Sequence, residues 1–156
     1  MDYYQGVVTE FLRADRATFV NPECPIQMAR SAAPPKGTSW YCDVVAVNFR
    51  ERKVYLCEVT YSTALHPLLR RLRAWSTNWS AVCSAIFRDC SVPEDWKIQP
   101  WVFIPKKSRA LLEEKLKSLT NVGDVEGNMP LPLIKDLEEV APCEYSYDRT
   151  PNGSSV

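Results

Sequence analysis

The chain has 156 residues, which suits a single domain, and its 46% hydrophobic and 24% charged residues leave enough apolar material for a core. The chain has 19 lysine and arginine residues and 19 aspartate and glutamate residues, so it carries no net positive charge that would attract nucleic acid or anionic membranes. No apolar run approaches the ~20 residues that span a bilayer, and the first residues lack the basic-then-apolar order of a secretory signal. We therefore expect a soluble, cytoplasmic protein without membrane contact, in which any polyanion site is a local patch.

The predicted elements begin with a helix over about residues 2–14, where apolar residues recur at helical spacing. A β-prone segment at 17–21 follows and is expected to stop at Pro22. The segment 31–39 is rich in proline and small residues and predicts a loop. Two strands at 40–48 and 53–61 then form a predicted β-hairpin.

Apolar residues at positions i, i+3, i+4 and i+7 continue from Leu65 to Cys90 and predict one helix of about seven turns, with Pro67 in its first turn. Residues 97–104 predict a further strand, and Pro100 within it indicates an edge position or a bulge. A second helix follows, with Ser108 as its predicted N-cap.

The C-terminal part carries weaker signals. Apolar residues within 133–140 are compatible with a short helix, while 142–156 has the composition of a mobile tail. The predicted organisation is one α/β domain over 1–141 and a tail over 142–156.

The six cysteines contain no C-x-x-C pair, and four lie within apolar runs. They predict buried reduced thiols rather than a disulfide framework or a zinc site. Cys42 and Cys57 are expected in the core, on the hairpin face opposite Asp43 and Glu58, because side chains alternate along a strand.

Two acidic residues on the hairpin are the chief candidates for chemistry. If Asn48 faces Lys53 across the turn, Asp43 lies directly opposite Glu58. Facing like charges are destabilising at a Cβ separation of about 5 Å, and an unpaired carboxylate among valines and leucines is costly. The pair therefore predicts a bound cation.

The order helix, strand, hairpin, long helix, strand, with Asp43 and Glu58-Val59-Thr60 on the hairpin, resembles the PD-(D/E)XK nuclease superfamily over about residues 2–105. The resemblance implies a restriction-endonuclease-like αβββαβ core, with a mixed central sheet flanked by helices. Asp43 matches the family aspartate, and Glu58 matches the first position of its E-x-K element. Glu10 matches an acidic residue often found on the first helix. Cys42 and Thr60 depart from the pattern, since proline often precedes the aspartate and lysine ends the element.

What the resemblance implies is a nuclease that uses Mg²⁺, or Mn²⁺, to hydrolyse phosphodiester bonds, with DNA favoured over RNA. Asp43, Glu58 and the Val59 carbonyl would hold the metal, since Mg²⁺ takes oxygen ligands and often only one or two carboxylates. Glu10 would be a third ligand or an ordinary solvated helix residue. Thr60 can hold a water but lacks the charge of the family lysine. Many nucleases of this fold act as dimers, which makes a homodimer a candidate assembly.

Basic residues near the carboxylates are candidates for nucleic-acid binding. Arg70, Arg71 and Arg73 cluster at the start of the long helix, and Lys36 lies in the preceding loop. Arginine stays protonated and would act as a phosphate clamp rather than a base. His66, the only histidine, is interpreted as a helix-start residue beside Pro67.

Three interpretations stay open at this stage. The first is a metal-dependent nuclease. The second is a nuclease-fold domain that has lost catalysis and acts as a nucleic-acid-binding or protein-interaction module, which Thr60 and the zero net charge favour. The third is an unrelated α/β domain, which predicts carboxyl groups too far apart to share an ion.

Overall fold

The computed structural model describes residues 1–28 and 40–140. Its elements in chain order are α1 (Tyr3–Arg13), β1 (Thr18–Pro25), β2 (Tyr41–Asn48), β3 (Lys53–Val59), α2 (His66–Thr77), α3 (Trp79–Cys90), β4 (Lys97–Ile104), α4 (Arg109–Leu116) and β5 (Leu133–Asp136). The five strands form one mixed sheet in the order β1-β2-β3-β4-β5. The α/β class with a sheet flanked by helices is therefore as predicted. The predicted loop at 31–39 and the tail at 142–156 lie outside the described residues.

The hairpin has the predicted register. The ladder runs from the pair Asn48–Lys53 to the pair Val44–Cys57, and Asp43 and Glu58 are the next residue on each strand. Both cysteines of the hairpin are buried, but the expectation that they share one face is wrong, because Cys57 packs with Val44 and Cys42 packs in the core that contains Val45. β1 joins β2 antiparallel, whereas β4 and β5 run parallel to β3. The two strands that carry the acidic pair thus lie inside the sheet.

Helices cover both faces of the sheet. On one face, α2, α3 and α4 pack against alternate residues of the central strands, around a core that includes Val45, Leu56, Leu72, Trp75 and Val82. On the other face, α1 packs against the remaining alternate residues, in a second core that includes Val8, Phe11, Val44, Cys57 and Phe103. This alternation is what a strand buried on both faces requires.

The predicted seven-turn helix is wrong in one respect, because it is two helices separated by Asn78. The backbone of Asn78 leaves the helical region at φ −120° and ψ 29°. Around it, the Thr77 hydroxyl donates to the Arg73 carbonyl and the Asn78 amide donates to the Ala74 carbonyl. Such side-chain bonds compete with the helical ladder, although the apolar periodicity continues.

Proline placement explains two further differences. β1 continues through Pro22 to Pro25 because it is an edge strand, where a missing N–H removes no ladder bond. β4 is not an edge strand, yet Pro100 pairs with Leu56 on one side only, because β5 first pairs with β4 at Trp101.

The C-terminal elements also differ from expectation. Residues 133–140, whose apolar pattern was compatible with a short helix, instead form β5 and then a single 3-10 turn at Leu137–Glu139. Ser108 does precede α4, but its side chain makes no capping hydrogen bond. Within the described ranges, no helix is both long and apolar enough to cross a bilayer.

Candidate functional site

The acidic pair lies at the ends of the two hairpin strands and is almost completely buried. The side chains of Asp43 and Glu58 are 8% and 4% exposed. Asp43 comes just before the ladder that β2 forms with β3, and Glu58 comes near the end of β3. Two residues along each strand, Val45 and Leu56 pack in the core under α2 and α3. The fold thus places two carboxyl groups together in an apolar setting.

The cation that this pair requires is a side chain of the protein. Arg71 on α2 donates from Nη1 to Glu58 Oε2, and the same nitrogen lies 3.6 Å from Asp43 Oδ1. The Arg71 side chain is only 14% exposed, and its guanidinium carbon lies 5.5 Å from the centre of the Tyr41 ring. One guanidinium nitrogen therefore spans both carboxylates, which lie close enough to share a cation.

Asp43 also accepts two hydrogen bonds from other elements. The Gln5 side-chain amide on α1 donates to Oδ1 at 2.9 Å, and the backbone N–H of Val59 donates to Oδ2 at 2.8 Å. Glu58 is less well satisfied, because its Oε1 atom is buried and has no hydrogen-bond partner in the described part of the chain. A buried polar atom without a partner is costly, and few folded proteins keep many.

Burial raises the pKa of both carboxyl groups. For Asp43, the Val59 N–H and the charge of Arg71 oppose that rise, and the pKa stays above its ordinary value. For Glu58, burial and the facing charge of Asp43 together raise the pKa well above its ordinary value, against the opposing effect of Arg71. Desolvation disfavours the charged form, and Arg71 and the Val59 N–H oppose that effect without cancelling it.

The remaining predicted site residues are placed as follows. Glu10 does not join the pair: it is exposed and forms an ion pair with Arg13 at 3.1 Å. The Thr60 N–H donates to the Phe103 carbonyl at 3.0 Å, and the Thr60 side chain is partly exposed. Arg70 and Arg73 are exposed on α2. Lys36 lies outside the described residues.

Two surface features are separate from the acidic pair. A wide groove of about 1140 Å³ lies between α1 and β1 and includes Glu10, but its lining includes neither Asp43 nor Glu58. The chemistry of the buried pair is the better guide to a site than the size of this groove. His66 is the exposed first residue of α2, in agreement with its interpretation as a helix-start residue.

Sequence reasoning missed Gln5 and did not choose among the three arginines. A signal for Arg71 was present, because it lies three residues after Leu68 and four before Trp75, on the stripe of α2 that faces the core. Arg70 and Arg73 lie off that stripe. No comparable signal marked Gln5, whose contact depends on how α1 crosses the end of the sheet.

The donor set fits a hard divalent cation in kind, although the described residues contain no cluster of three or more acidic, histidine or cysteine ligands. Two carboxylates are a sufficient protein contribution for Mg²⁺, which commonly keeps waters and binds substrate phosphate. The Glu58 Oε1 oxygen, which is buried without a hydrogen-bond partner among the described residues, is of the kind that such an ion binds. Comparisons of the chain with protein-family models, curated proteins and solved structures found no match.

Proposed function

We propose that this protein is a metal-dependent nuclease with a restriction-endonuclease-like core, which hydrolyses phosphodiester bonds and favours DNA. One observation carries the proposal: Asp43 and Glu58 are buried together on adjacent strands, and Glu58 Oε1 has no partner among the described residues. The element order αβββαβ, with two helices in place of the single long one, also supports it. A structural ion pair alone would not account for the orphaned oxygen.

In this proposal Asp43, Glu58 and the Val59 carbonyl hold Mg²⁺ or Mn²⁺. The bound ion supplies an activated water and neutralises charge that develops on the phosphate. The Val59 N–H and Gln5 fix the Asp43 carboxylate through one hydrogen bond to each oxygen. This support preorganises the carboxylate, as outer hydrogen bonds do in metal sites.

Arg71 takes the place of the family lysine as the source of positive charge. It reaches the carboxylates from α2, whereas the lysine position on β3 is occupied by Thr60. Arginine does not release its proton at neutral pH, so Arg71 stabilises charge and does not act as a base. The Thr60 hydroxyl makes no hydrogen bond within the described residues and can orient a water.

The direct test is a thermal melt with and without millimolar Mg²⁺ or Mn²⁺. The wild type is expected to gain stability from the ions, because a ligand that binds only the folded state raises the melting temperature. Asp43→Asn and Glu58→Gln should lose that gain. Glu10→Gln is a matched control, since it removes an exposed carboxylate outside the proposed site and should keep the gain.

Cleavage assays complete the test. Plasmid, single-stranded DNA and RNA are incubated with Mn²⁺, and cleavage is expected to disappear in Glu58→Gln and persist in Glu10→Gln. Cleavage that survives Glu58→Gln would indicate a contaminating enzyme. A wild type that neither gains stability from the ions nor cleaves any of these substrates would refute the proposal.

A second candidate is a catalytically impaired nuclease-fold domain that binds nucleic acid or another protein. The observation that favours it is that Arg71 already provides the cation between the carboxylates, while Thr60 replaces the lysine. This candidate predicts no metal-dependent stabilisation and no cleavage, together with retained binding of a nucleic acid or protein partner.

A further inference from the structure

A second groove lies between α2 and the end of α4 and has a volume of about 490 Å³. Residues from both helices and the turn after α4 line it: His66, Pro67, Leu69, Arg70, Arg73, Lys115 and Ser118. Three of these side chains are cations, and none is a carboxylate. We call this feature the α2/α4 groove.

The α2 side of the groove is a stripe at helical spacing. His66, Arg70 and Arg73 lie at positions i, i+4 and i+7, so they project from one face of the helix. Lys115 reaches the same groove from α4, more than forty residues later in the chain. The tertiary packing, and not the local sequence, thus brings the third cation to the stripe.

The charge of the groove stands out in a chain of zero net charge. Two other arginines form ion pairs with buried carboxylates, Arg50 with Asp15 and Arg109 with Asp136. Arg73 and Lys115 take part in no ion pair within 1–28 and 40–140.

Two acidic residues close to Lys115 in α4 lie outside the groove lining. Glu113 lies 3.8 Å from Arg109 instead, and Glu114 is absent from the groove lining although it precedes Lys115. Clustered charge of one sign with facing walls concentrates the field and attracts counter-charged ligands.

The same helix connects this groove to the buried carboxylates. Arg70 and Arg71 are adjacent in α2, and successive residues of a helix point about 100° apart. Arg71 faces the sheet and contacts Glu58, while Arg70 faces the α2/α4 groove. A polyanion seated in the groove therefore lies along the helix that supplies the arginine of the proposed active site.

We infer that the α2/α4 groove binds the phosphate groups of a nucleic-acid strand, through Arg70, Arg73 and Lys115. The inference rests on the proposed function, since the strand would be the substrate of the carboxylate site. Arg70 and Arg73 lie about one turn apart, with ~5–6 Å between Cβ atoms, so they offer successive contacts to a chain of phosphates. Backbone contacts of this kind position a nucleic acid without reading its sequence.

The test measures binding of fluorescein-labelled single-stranded and duplex DNA by anisotropy, in EDTA and over a series of salt concentrations. Arg73→Gln and Lys115→Gln should each weaken binding several-fold and reduce the slope of log K against log salt by about 1. The double variant should lose more. Lys117→Gln is the matched control, because it removes the same charge two residues from Lys115 and outside the groove lining.

Competition identifies the source of the phosphate. Unlabelled DNA should displace the probe, whereas ATP should do so only at far higher concentration. Displacement by ATP as effective as by DNA would overturn the assignment to a strand in favour of a free nucleotide. Melting each variant confirms folding, and these substitutions of exposed residues should leave the melting temperature close to that of the wild type.

Failure of this inference is distinguishable from failure of the proposed nuclease function. Binding in EDTA does not require the metal, so groove-dependent binding without any cleavage refutes the nuclease and retains the groove. Cleavage by the wild type, with a double variant that binds with unchanged affinity and salt slope, refutes the groove and retains the nuclease.

Discussion

Removal of the Arg71 guanidinium should destabilise the fold, because the repulsion between the two buried carboxylates would no longer be compensated. Arg71→Met keeps most of the aliphatic stem of the side chain but removes the positive charge. Asp43 would retain its bonds from Gln5 and Val59, whereas Glu58 Oε2 would lose the bond from Arg71. Glu58 Oε1 has no hydrogen-bond partner within residues 1–28 and 40–140, so the variant would leave this carboxylate without the ion pair that Arg71 provides.

The expected cost at neutral pH follows from the burial of the three side chains. Removing one member of a buried ion pair costs about 3–5 kcal/mol, because it leaves an uncompensated charge. The low exposure of Asp43 and Glu58 places Arg71 in this class rather than among surface pairs, which contribute about 0–1 kcal/mol. At roughly 2–4 °C per kcal/mol for a domain near this size, the melting temperature should fall by about 6–20 °C.

The loss should depend on pH with a definite sign. The folded-state pKa of both carboxyl groups lies above its ordinary value because of burial, and Arg71 opposes that rise. Groups of this kind favour folding when protonated, and the contribution is lost as pH rises through the folded-state pKa. Without Arg71 both pKa values should rise further, so the difference in stability between variant and wild type should be larger at high pH than at low pH. It should shrink as pH falls through the raised folded-state pKa values, because the carboxyl groups of both proteins then bind protons.

Urea unfolding of wild type and Arg71→Met at pH 5, 6, 7 and 8 would check this. Arg73→Met is the control, because the same substitution two residues away removes an exposed arginine. Adding Glu58→Gln to Arg71→Met should restore part of the stability by removing one buried charge. A variant within about 0.5 kcal/mol of wild type, with unchanged pH dependence, would refute the assignment of Arg71 as the cation of the pair.

Two further predictions concern other buried groups. Asp15 accepts hydrogen bonds from Asn48 and Arg50. Burial raises the pKa of Asp15, but the hydrogen bonds and the charge of Arg50 outweigh burial, so the pKa lies below its ordinary value. Asp15→Asn should therefore cost about 1.5–3 kcal/mol at pH 7, measured by urea unfolding, and the difference should narrow as pH falls below ~4. Burial raises the pKa of the Cys42 and Cys57 thiols well above its ordinary value, so native protein should leave both unmodified by a thiol reagent that modifies them after unfolding in urea. Modification of either thiol in native protein as fast as the half-buried Cys24, Cys83 and Cys90 would contradict their burial.

The hairpin shows how much of this fold can be predicted from local signals. Alternating strands around a short turn determine the register, and the pairing of Asn48 with Lys53 then brings Asp43 and Glu58 together just beyond the last ladder pair, Val44–Cys57. The demand for a cation follows from that register and from elementary electrostatics. Its identity does not, because Arg71 reaches the pair only after α2 folds back over the sheet.

The elements that were wrongly predicted share a cause. Asn78 interrupts a continuous apolar stripe, and β5 is a strand although its residues also suited a helix. In both places the spacing of apolar residues indicates which side chains are buried. The backbone conformation depends instead on the hydrogen-bond partners that the rest of the fold provides. Parallel pairing of Trp101 with Leu133 decides the second case.

By itself, the sequence determined the α/β class, the hairpin register and the presence of two facing carboxylates, because these depend on side-chain periodicity over a few neighbouring residues. Only the tertiary structure decided that Arg71 lies between those carboxylates, that Gln5 supports Asp43, and that Lys115 joins Arg70 and Arg73 in one groove. These contacts join residues 13 to 45 positions apart on separate elements, and their geometry is set by how the helices pack on the sheet.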